Sequence, residues 1–226
     1  NVRVRELDAA SGPADGPGNA LTDDERNAGW TLLFDGKTLD GWTTNMGQPS
    51  LKPVEDGAVN PHGSGHYMLI HEKEWGDFVL KLDFKISPKC NSGVFFRTFP
   101  LAPKPGWDIG YNGLEVAIDD TPKTGFHDTG AIYDLVPSAK NAMRPAGEWN
   151  RLQLTCDRNL VQVVLNGEFV GRMDLDQWKD PGKRADGTDH KFKGIAYRDH
   201  PRHGYIGLQD HRADCWYRNI KLRALR

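Results

Sequence analysis

The chain has 226 residues, with 29 Lys and Arg against 31 Asp and Glu, so its formal net charge is −2. That balance excludes a broad electrostatic attraction to nucleic acid. With no apolar run near 18 residues, a membrane-spanning helix is excluded as well. Twenty-five glycines and 14 prolines without a triplet period point to many turns between short strands, and so to an all-β class.

In chain order, the sequence starts at Asn1 without Met, a charged n-region or an apolar h-region, from which we expect that an upstream segment has been removed. Residues 1–20 contain Ser11-Gly12-Pro13-Ala14-Asp15-Gly16-Pro17-Gly18, too poor in apolar surface to offset the entropy of ordering, and read as a flexible tail or linker. Residues 21–226 read as a single domain. Thr22 and Glu25 have the spacing of a capping box, which predicts a short helix over residues 21–28.

From Trp30 the dominant period is two. Phe78, Leu80, Leu82, Phe84 and Ile86 alternate with more polar neighbours, the pattern of a strand with one buried face. Similar runs are predicted at 30–34, 67–70, 93–97, 114–119, 130–134, 151–156, 160–166, 168–173, 205–209 and 215–223. Asn166-Gly167 between two of them is a type I′ hairpin signal. Strands this short must cover their apolar faces with a second sheet, so a two-sheet antiparallel sandwich is expected. Two long irregular stretches interrupt it, residues 98–112 and 176–203, and loops of that length are usually either functional or disordered. The three cysteines, Cys90, Cys156 and Cys215, lack metal spacing; a Cys156–Cys215 bridge and three buried thiols both remain open.

Strand parity sorts candidate site residues onto one surface. If Val94 and Phe96 face inward, Arg97 faces outward. If Leu114, Val116 and Ile118 face inward, Glu115 and Asp119 face outward. Gln209 is exposed by the same rule, with Asp210 and His211 at the strand end, and Tyr133 shares the outward parity. An Arg97–Glu115 cross-strand ion pair is the structural alternative. His62 and His66 are four apart but separated by Gly63-Ser64-Gly65, so the helical geometry of a zinc hydrolase is absent. His200 and His203 belong to the second long loop, as solvated surface or as a lid. Of Trp42, Trp107, Trp149 and Trp216, only Trp107 falls in a long loop, which makes it the candidate for stacking on a sugar ring.

Gly29-Trp30-Thr31-Leu32-Leu33-Phe34-Asp35-Gly36-Lys37-Thr38-Leu39-Asp40-Gly41-Trp42 resembles the opening of the 3-keto-disaccharide hydrolase domain family. Further similar motifs follow in order: Trp75-Gly76-Asp77-Phe78, Asn91-Ser92-Gly93-Val94-Phe95-Phe96-Arg97, Gly113-Leu114-Glu115-Val116, Thr129-Gly130-Ala131-Ile132-Tyr133, Glu148-Trp149-Asn150 and Gly207-Leu208-Gln209-Asp210-His211. The chain departs from the family pattern at Ala117, where Gln is common, and at Arg212, where Gly is frequent.

The resemblance implies a concanavalin A-like jelly-roll sandwich, export by a bacterium to the periplasm or beyond, and action on glycosides oxidised to a ketone at C3. Such a substrate implies functional coupling to a sugar 3-dehydrogenase. A C3 ketone acidifies the C2 proton, so a base can remove it, the C1 substituent can leave and water can add. Among the matching motifs, His211 and Glu115 are then the candidate acid and base, Arg97 the oxyanion cation and Tyr133 a hydrogen-bond donor, with Gln209, Asp119, Asn91 and Trp107 as substrate-binding residues. No cofactor is required by this chemistry; a divalent metal near His211 stays open. The alternative function is a noncatalytic carbohydrate-binding module on the same scaffold. A laminarinase-type glycosidase is disfavoured, since no Glu-x-Asp-x-x-Glu run is present.

Overall fold

The computed structural model describes residues 18–98 and 113–225, and the expectations for residues 1–17 and for Trp107 lie outside them. Among the described residues one α-helix, α1 (Asp23–Asn27), precedes eleven strands. These are β1 (Trp30–Leu32), β2 (Trp42–Thr44), β3 (Met68–His71), β4 (Phe78–Ile86), β5 (Asn91–Thr98), β6 (Leu114–Asp119), β7 (Asn150–Asp157), β8 (Leu160–Leu165), β9 (Glu168–Asp174), β10 (Tyr205–Gln209) and β11 (Cys215–Ala224). They form a six-stranded sheet in the order β1-β11-β4-β7-β8-β9 and a five-stranded sheet in the order β2-β3-β10-β5-β6. Every strand pairing is antiparallel. No helix is long and apolar enough to cross a membrane among the described residues.

The two sheets face each other because each presents an apolar parity that only the other can cover. On β4, Phe78, Leu80, Leu82, Phe84 and Ile86 are buried in one continuous core with Val94 and Phe96 of β5, Leu114, Val116 and Ile118 of β6, and Ile206 and Leu208 of β10. The alternation predicted for these strands is therefore the alternation between core and outer face.

Local chemistry fixes the connections. Both halves of the capping box at α1 are made: Thr22 Oγ1 accepts from Glu25 N at 3.2 Å, and Glu25 Oε2 accepts from Thr22 N at 3.0 Å. Asn166 and Gly167 have φ of 51° and 84°, the paired positive values that a type I′ hairpin requires. The run at 130–134 does not form a strand as expected. Gly130 and Asp134 have φ of 90° and 58°, which breaks the extended backbone at both ends. What remains is a ragged edge on β6, where Ile132 bridges Val116 and Tyr133 N donates to Glu115 O at 2.9 Å. The three-residue β2 was not predicted, because a segment that short carries no readable alternation.

The packed chain begins before α1, inside the stretch read as tail. Asn19 Oδ1 accepts from Asn219 N at 2.8 Å, Asn19 N donates to Asn219 Oδ1, and Asn19 Nδ2 donates to Gly57 O at 2.8 Å. Asn219 sits at φ 52° where the register of β11 against β4 shifts, and its amide also donates to Asp83. One side chain thus ties the amino-terminal segment to the sheet. Replacing Asn219 with Ala removes the two bonds its side chain makes, from Asn19 N and to Asp83, and is expected to cost about 2 kcal/mol, a fall of roughly 4–8 °C in Tm. A thermal melt checks it; a shift under about 1 °C would show that the clasp carries no stability.

Candidate active site

The outer face of the five-stranded sheet gathers most of the residues selected by parity. Register places Gly207, Phe95 and Glu115 in one row across β10, β5 and β6. Gly93 is paired with Ala117, and Asn91 with Asp119, in the next two outward rows. Leu208 pairs with Val94, so Gln209 lies beside Gly93. Strands are spaced about 4.8 Å apart, which brings Glu115, Gln209 and Asn91 within side-chain reach of one patch of floor.

That floor is made of glycine for a steric reason. A Cβ at Gly93 would lie within 2.8 Å of Glu115 Cδ and closer still to Oε1, and a Cβ at Gly207 would meet Met68 Sδ. Glu115 and Met68 lean over these two positions and occupy the space that a side chain would fill. Phe95, Met68 and Ile70 form a second, small apolar cluster on this face, flanked by Tyr67 and Tyr205.

Glu115 is buried, at 8% exposure, and its carboxyl has no hydrogen-bond partner among the described residues. Desolvation pushes its pKa up to about 8, opposed only by the positive charge of Lys191. Lys191 Nζ in turn donates to Tyr133 Oη at 2.8 Å and lies 4.0 Å from the centre of its ring. His127 packs at a tilt against the same ring with centroids 4.7 Å apart. Nearby, Gln209 Nε2 donates to Tyr67 Oη, while Gln209 Oε1 is buried with no partner among the described residues. The face therefore holds a protonatable carboxyl, an ammonium, two phenols and an unsatisfied amide oxygen. An unsatisfied buried amide oxygen beside a protonatable carboxyl is what a polar ligand would complete.

Lys191 was missed because it comes from the second long loop, whose sequence has no period to place it. The link is Asp134. Its positive φ turns the residue toward the loop, where Oδ2 accepts from Lys191 N at 2.8 Å and its carbonyl accepts from Arg184 Nη2 at 2.6 Å. Tyr67 and the glycine floor were likewise not selected; the outward parity of Gly93 and Gly207 was the available signal.

Arg97 is the main correction. Alternation would turn it outward after Phe95, but its φ of 48° and the register shift opposite it on β10 form a bulge that redirects the side chain. Arg97 is fully buried and bridges to the six-stranded sheet, donating to Arg158 O at 2.9 Å, Gly76 O at 3.3 Å and Asp77 Oδ1 at 3.1 Å. It pairs with Asp77, not Glu115, and braces the two sheets.

The remaining candidates divide. Tyr133, Gln209, Asn91 and Asp119 lie at the face, and burial with neighbouring Asp128 holds the Asp119 carboxyl above its ordinary range. His211 follows the end of β10 and is exposed; Asp210 turns aside to meet His62 Nδ1 at 3.1 Å and Gly63 N at 3.2 Å. His66 meets Gln48 instead, so His62 and His66 do not converge. Among the described residues no group of three His, Cys, Asp or Glu side chains could hold a metal ion, at His211 or elsewhere. His200 is buried rather than solvated, stacked on Tyr197, and desolvation lowers its pKa to about 4. Trp42 is core, its Nε1 donating to Leu33 O, and Trp149 and Trp216 lie against Lys85 on the other sheet.

The geometry can be set beside known proteins. Residues 29–223 match the family model of the 3-keto-alpha-glucoside-1,2-lyase-like domain. The chain belongs to this family. It is 26% identical over 260 aligned positions to the 3-keto-disaccharide hydrolase of Bacteroides thetaiotaomicron, an alignment covering all of this chain and 84% of that protein. Two crystal structures of candidate glycosyl hydrolases from Parabacteroides distasonis are also similar. One is 28% identical with a TM-score of 0.74, covering 87% of this chain and 99% of that one. The other is 25% identical with a TM-score of 0.77, covering 93% and 100%. A Bacillus subtilis protein with a galectin-like fold, 12% identical with a TM-score of 0.51 and covering 77% and 86%, shares the fold alone. The chain thus has the two-sheet antiparallel sandwich that the alternation predicts, with the jelly-roll-like form that the resemblance implies.

Two outcomes separate the residues that shape the site from those that hold the fold. Gly93→Ala is expected to displace the Glu115 carboxyl and lower kcat by about tenfold or more, with a Tm change of only a few degrees; unchanged kcat would show that Glu115 need not rest there. Arg97→Lys keeps the charge but loses the planar fork, and is expected to cost about 3 kcal/mol of stability in denaturant unfolding while sparing kcat at low temperature. Loss of kcat without loss of stability would return Arg97 to the chemistry.

Proposed function

We propose that this protein cleaves glycosides whose C3 hydroxyl has been oxidised to a ketone. Glu115 is the base that removes the C2 proton. Its surroundings fit it for this role, because a desolvated carboxylate is a stronger base than one in water, and the neighbouring ammonium lets it ionise near neutral pH. As the proton leaves C2, negative charge moves onto the C3 oxygen. Lys191 and the Tyr133 hydroxyl, 2.8 Å apart, are the groups that face this charge. The resulting enediolate expels the C1 substituent, which takes up a proton as it departs. Water then adds across C1 and C2, and the net reaction is hydrolysis of the glycosidic bond.

Gln209 and Tyr67 bind ring hydroxyls beside this centre, with Asn91 and Asp119 one row further along the sheet. His211, on the exposed loop after β10, supplies the proton for the departing oxygen. The substrate needs a prior oxidation at C3, which a sugar 3-dehydrogenase would supply, and an exported bacterial location fits such a pathway. The observation that carries the reading is the buried Glu115 carboxyl beside Lys191 and Tyr133 on the glycine floor.

The decisive experiment is to incubate the protein with a 3-keto-disaccharide and with its unoxidised parent, following release of reducing sugar. The oxidised substrate is expected to be cleaved and the parent left intact, since only the ketone acidifies C2. For a base with a pKa near 8, kcat/KM should rise with pH and level off above about 8. Glu115→Gln should lower kcat by a factor of about 100 or more and abolish that rise. Full activity in Glu115→Gln would refute this mechanism, and sugar binding without any cleavage would favour a carbohydrate-binding module.

A further inference from the structure

We infer that Cys90 and Cys215 are the site of an intramolecular oxidative cross-link that joins the two sheets. Cys90 immediately precedes β5 of the five-stranded sheet, and Cys215 opens β11 of the six-stranded sheet. The chain turns from one sheet to the other at this corner, and the turn is fastened to β11. Cys90 N donates to Ser87 O at 3.2 Å, Ser87 N donates to Asp214 O at 3.0 Å, and Cys215 pairs with Ile86.

Parity then brings the thiols together. Ser92 and Tyr217 lie two residues beyond Cys90 and Cys215, on the same inward faces, and their hydroxyl oxygens are 2.8 Å apart. The two cysteines occupy the equivalent facing positions nearer the corner, where the sheets converge. Both are fully buried. Burial and the adjoining Cys90 thiol together hold the Cys215 thiol above its ordinary pKa.

The same register rules out the Cys156–Cys215 bridge left open above, and all three cysteines are buried, free thiols in this structure. Cys156 is level with Phe78 on β4 and Cys215 is level with Ile86, eight residues further along the same strand. At about 3.3 Å per residue that is roughly 26 Å, against a limit near 7 Å between bridged Cα atoms. Cys156 instead lies beside Arg97, and desolvation pushes its pKa up to about 12.

The cross-link forms by exchange with a disulfide oxidant, either a small molecule such as oxidised glutathione or a thioredoxin-like oxidase. One cysteine thiolate attacks the oxidant and releases one thiol. The second displaces the other thiol, so the protein loses two protons and two electrons and the oxidant becomes two thiols. Since both sulfurs are buried in the finished fold, exchange occurs before the corner closes. The bond would fix the β10–β11 loop, which carries His211, against the end of β5, which carries Asn91.

The full chain should be unfolded, refolded in a buffer of oxidised and reduced glutathione, and mapped by mass spectrometry without reduction. Wild type and Cys156→Ser are expected to yield a cross-linked Cys90–Cys215 peptide, with Tm roughly 5–10 °C above that of the reduced protein. Cys90→Ser and Cys215→Ser should show no redox-dependent Tm. Should either serine variant fail to fold, the wild-type peptide map alone decides. Recovery of only free Cys90 and Cys215 thiols, or of a peptide joined through Cys156, would overturn the proposal.

Discussion

Alternation along β5 is the constraint on which the site rests. Ser92, Val94 and Phe96 point into the sandwich, and Asn91, Gly93 and Phe95 point away from it. The core needs the first set to be in place before the second can be a surface at all. Because β5 sits between β10 and β6, its outward residues form the middle of the floor, and Gln209 and Glu115 reach over it from the two neighbours. A one-residue slip in either pairing would turn Glu115 into the core and Val116 onto the face. The register that packs the core is therefore the register that assembles the site.

The bulge at Arg97 ends this alternation and assigns two buried charges opposite fates. Arg97 is taken out of water but meets carbonyl oxygens at Gly76 and Arg158 and the carboxylate of Asp77, which together satisfy its fork. Glu115, on the same sheet, has no such set of donors among the described residues, so it responds by holding its proton. One burial is resolved by bonding and yields a brace between sheets. The other is left unresolved among the described residues and yields a group that can exchange a proton with a ligand.

What was legible in the sequence follows from what alternation can carry. The pattern in Phe78 to Ile86, the capping box at Thr22 and the Asn166-Gly167 turn each depend on a few adjacent residues, and each appears as read. Glu115 and Gln209 reach the face because their parity holds, whereas Tyr133 is set there by the ragged edge on β6, its N donating to Glu115 O. Arg97 failed because a single positive φ reverses parity, and nothing in Val94-Phe95-Phe96-Arg97 signals that a bulge will fall there. Lys191 was beyond reach for another reason. Its position depends on hydrogen bonds from the long loop to Asp134, more than 50 residues earlier, and no periodicity encodes such a contact. The cysteines repeat the lesson: the sequence left a Cys156–Cys215 bridge and three buried thiols both open, and strand order excludes the bridge.

Holding Glu115 ready also carries a stability consequence whose sign can be worked out. Its pKa is about 8 in the folded chain against 4.5 ordinarily, so between those values the folded state binds a proton that the unfolded state releases. Stability from this group is fully present below about pH 4.5 and is lost progressively as pH rises through 8. The depressed carboxylates act the other way: Glu25, which bonds Lys221 and Thr22 N, stabilises the fold above its ordinary pKa and loses that contribution on acidification. Glu25 belongs to the helix that clasps the sheet, and Glu115 to the face where a ligand would sit. Structural acids here are stabilised as anions by their partners, whereas Glu115 is destabilised as an anion by its surroundings. A substrate supplying the missing polar contacts would relieve part of that penalty, so binding and ionisation at Glu115 are coupled through the same desolvated pocket.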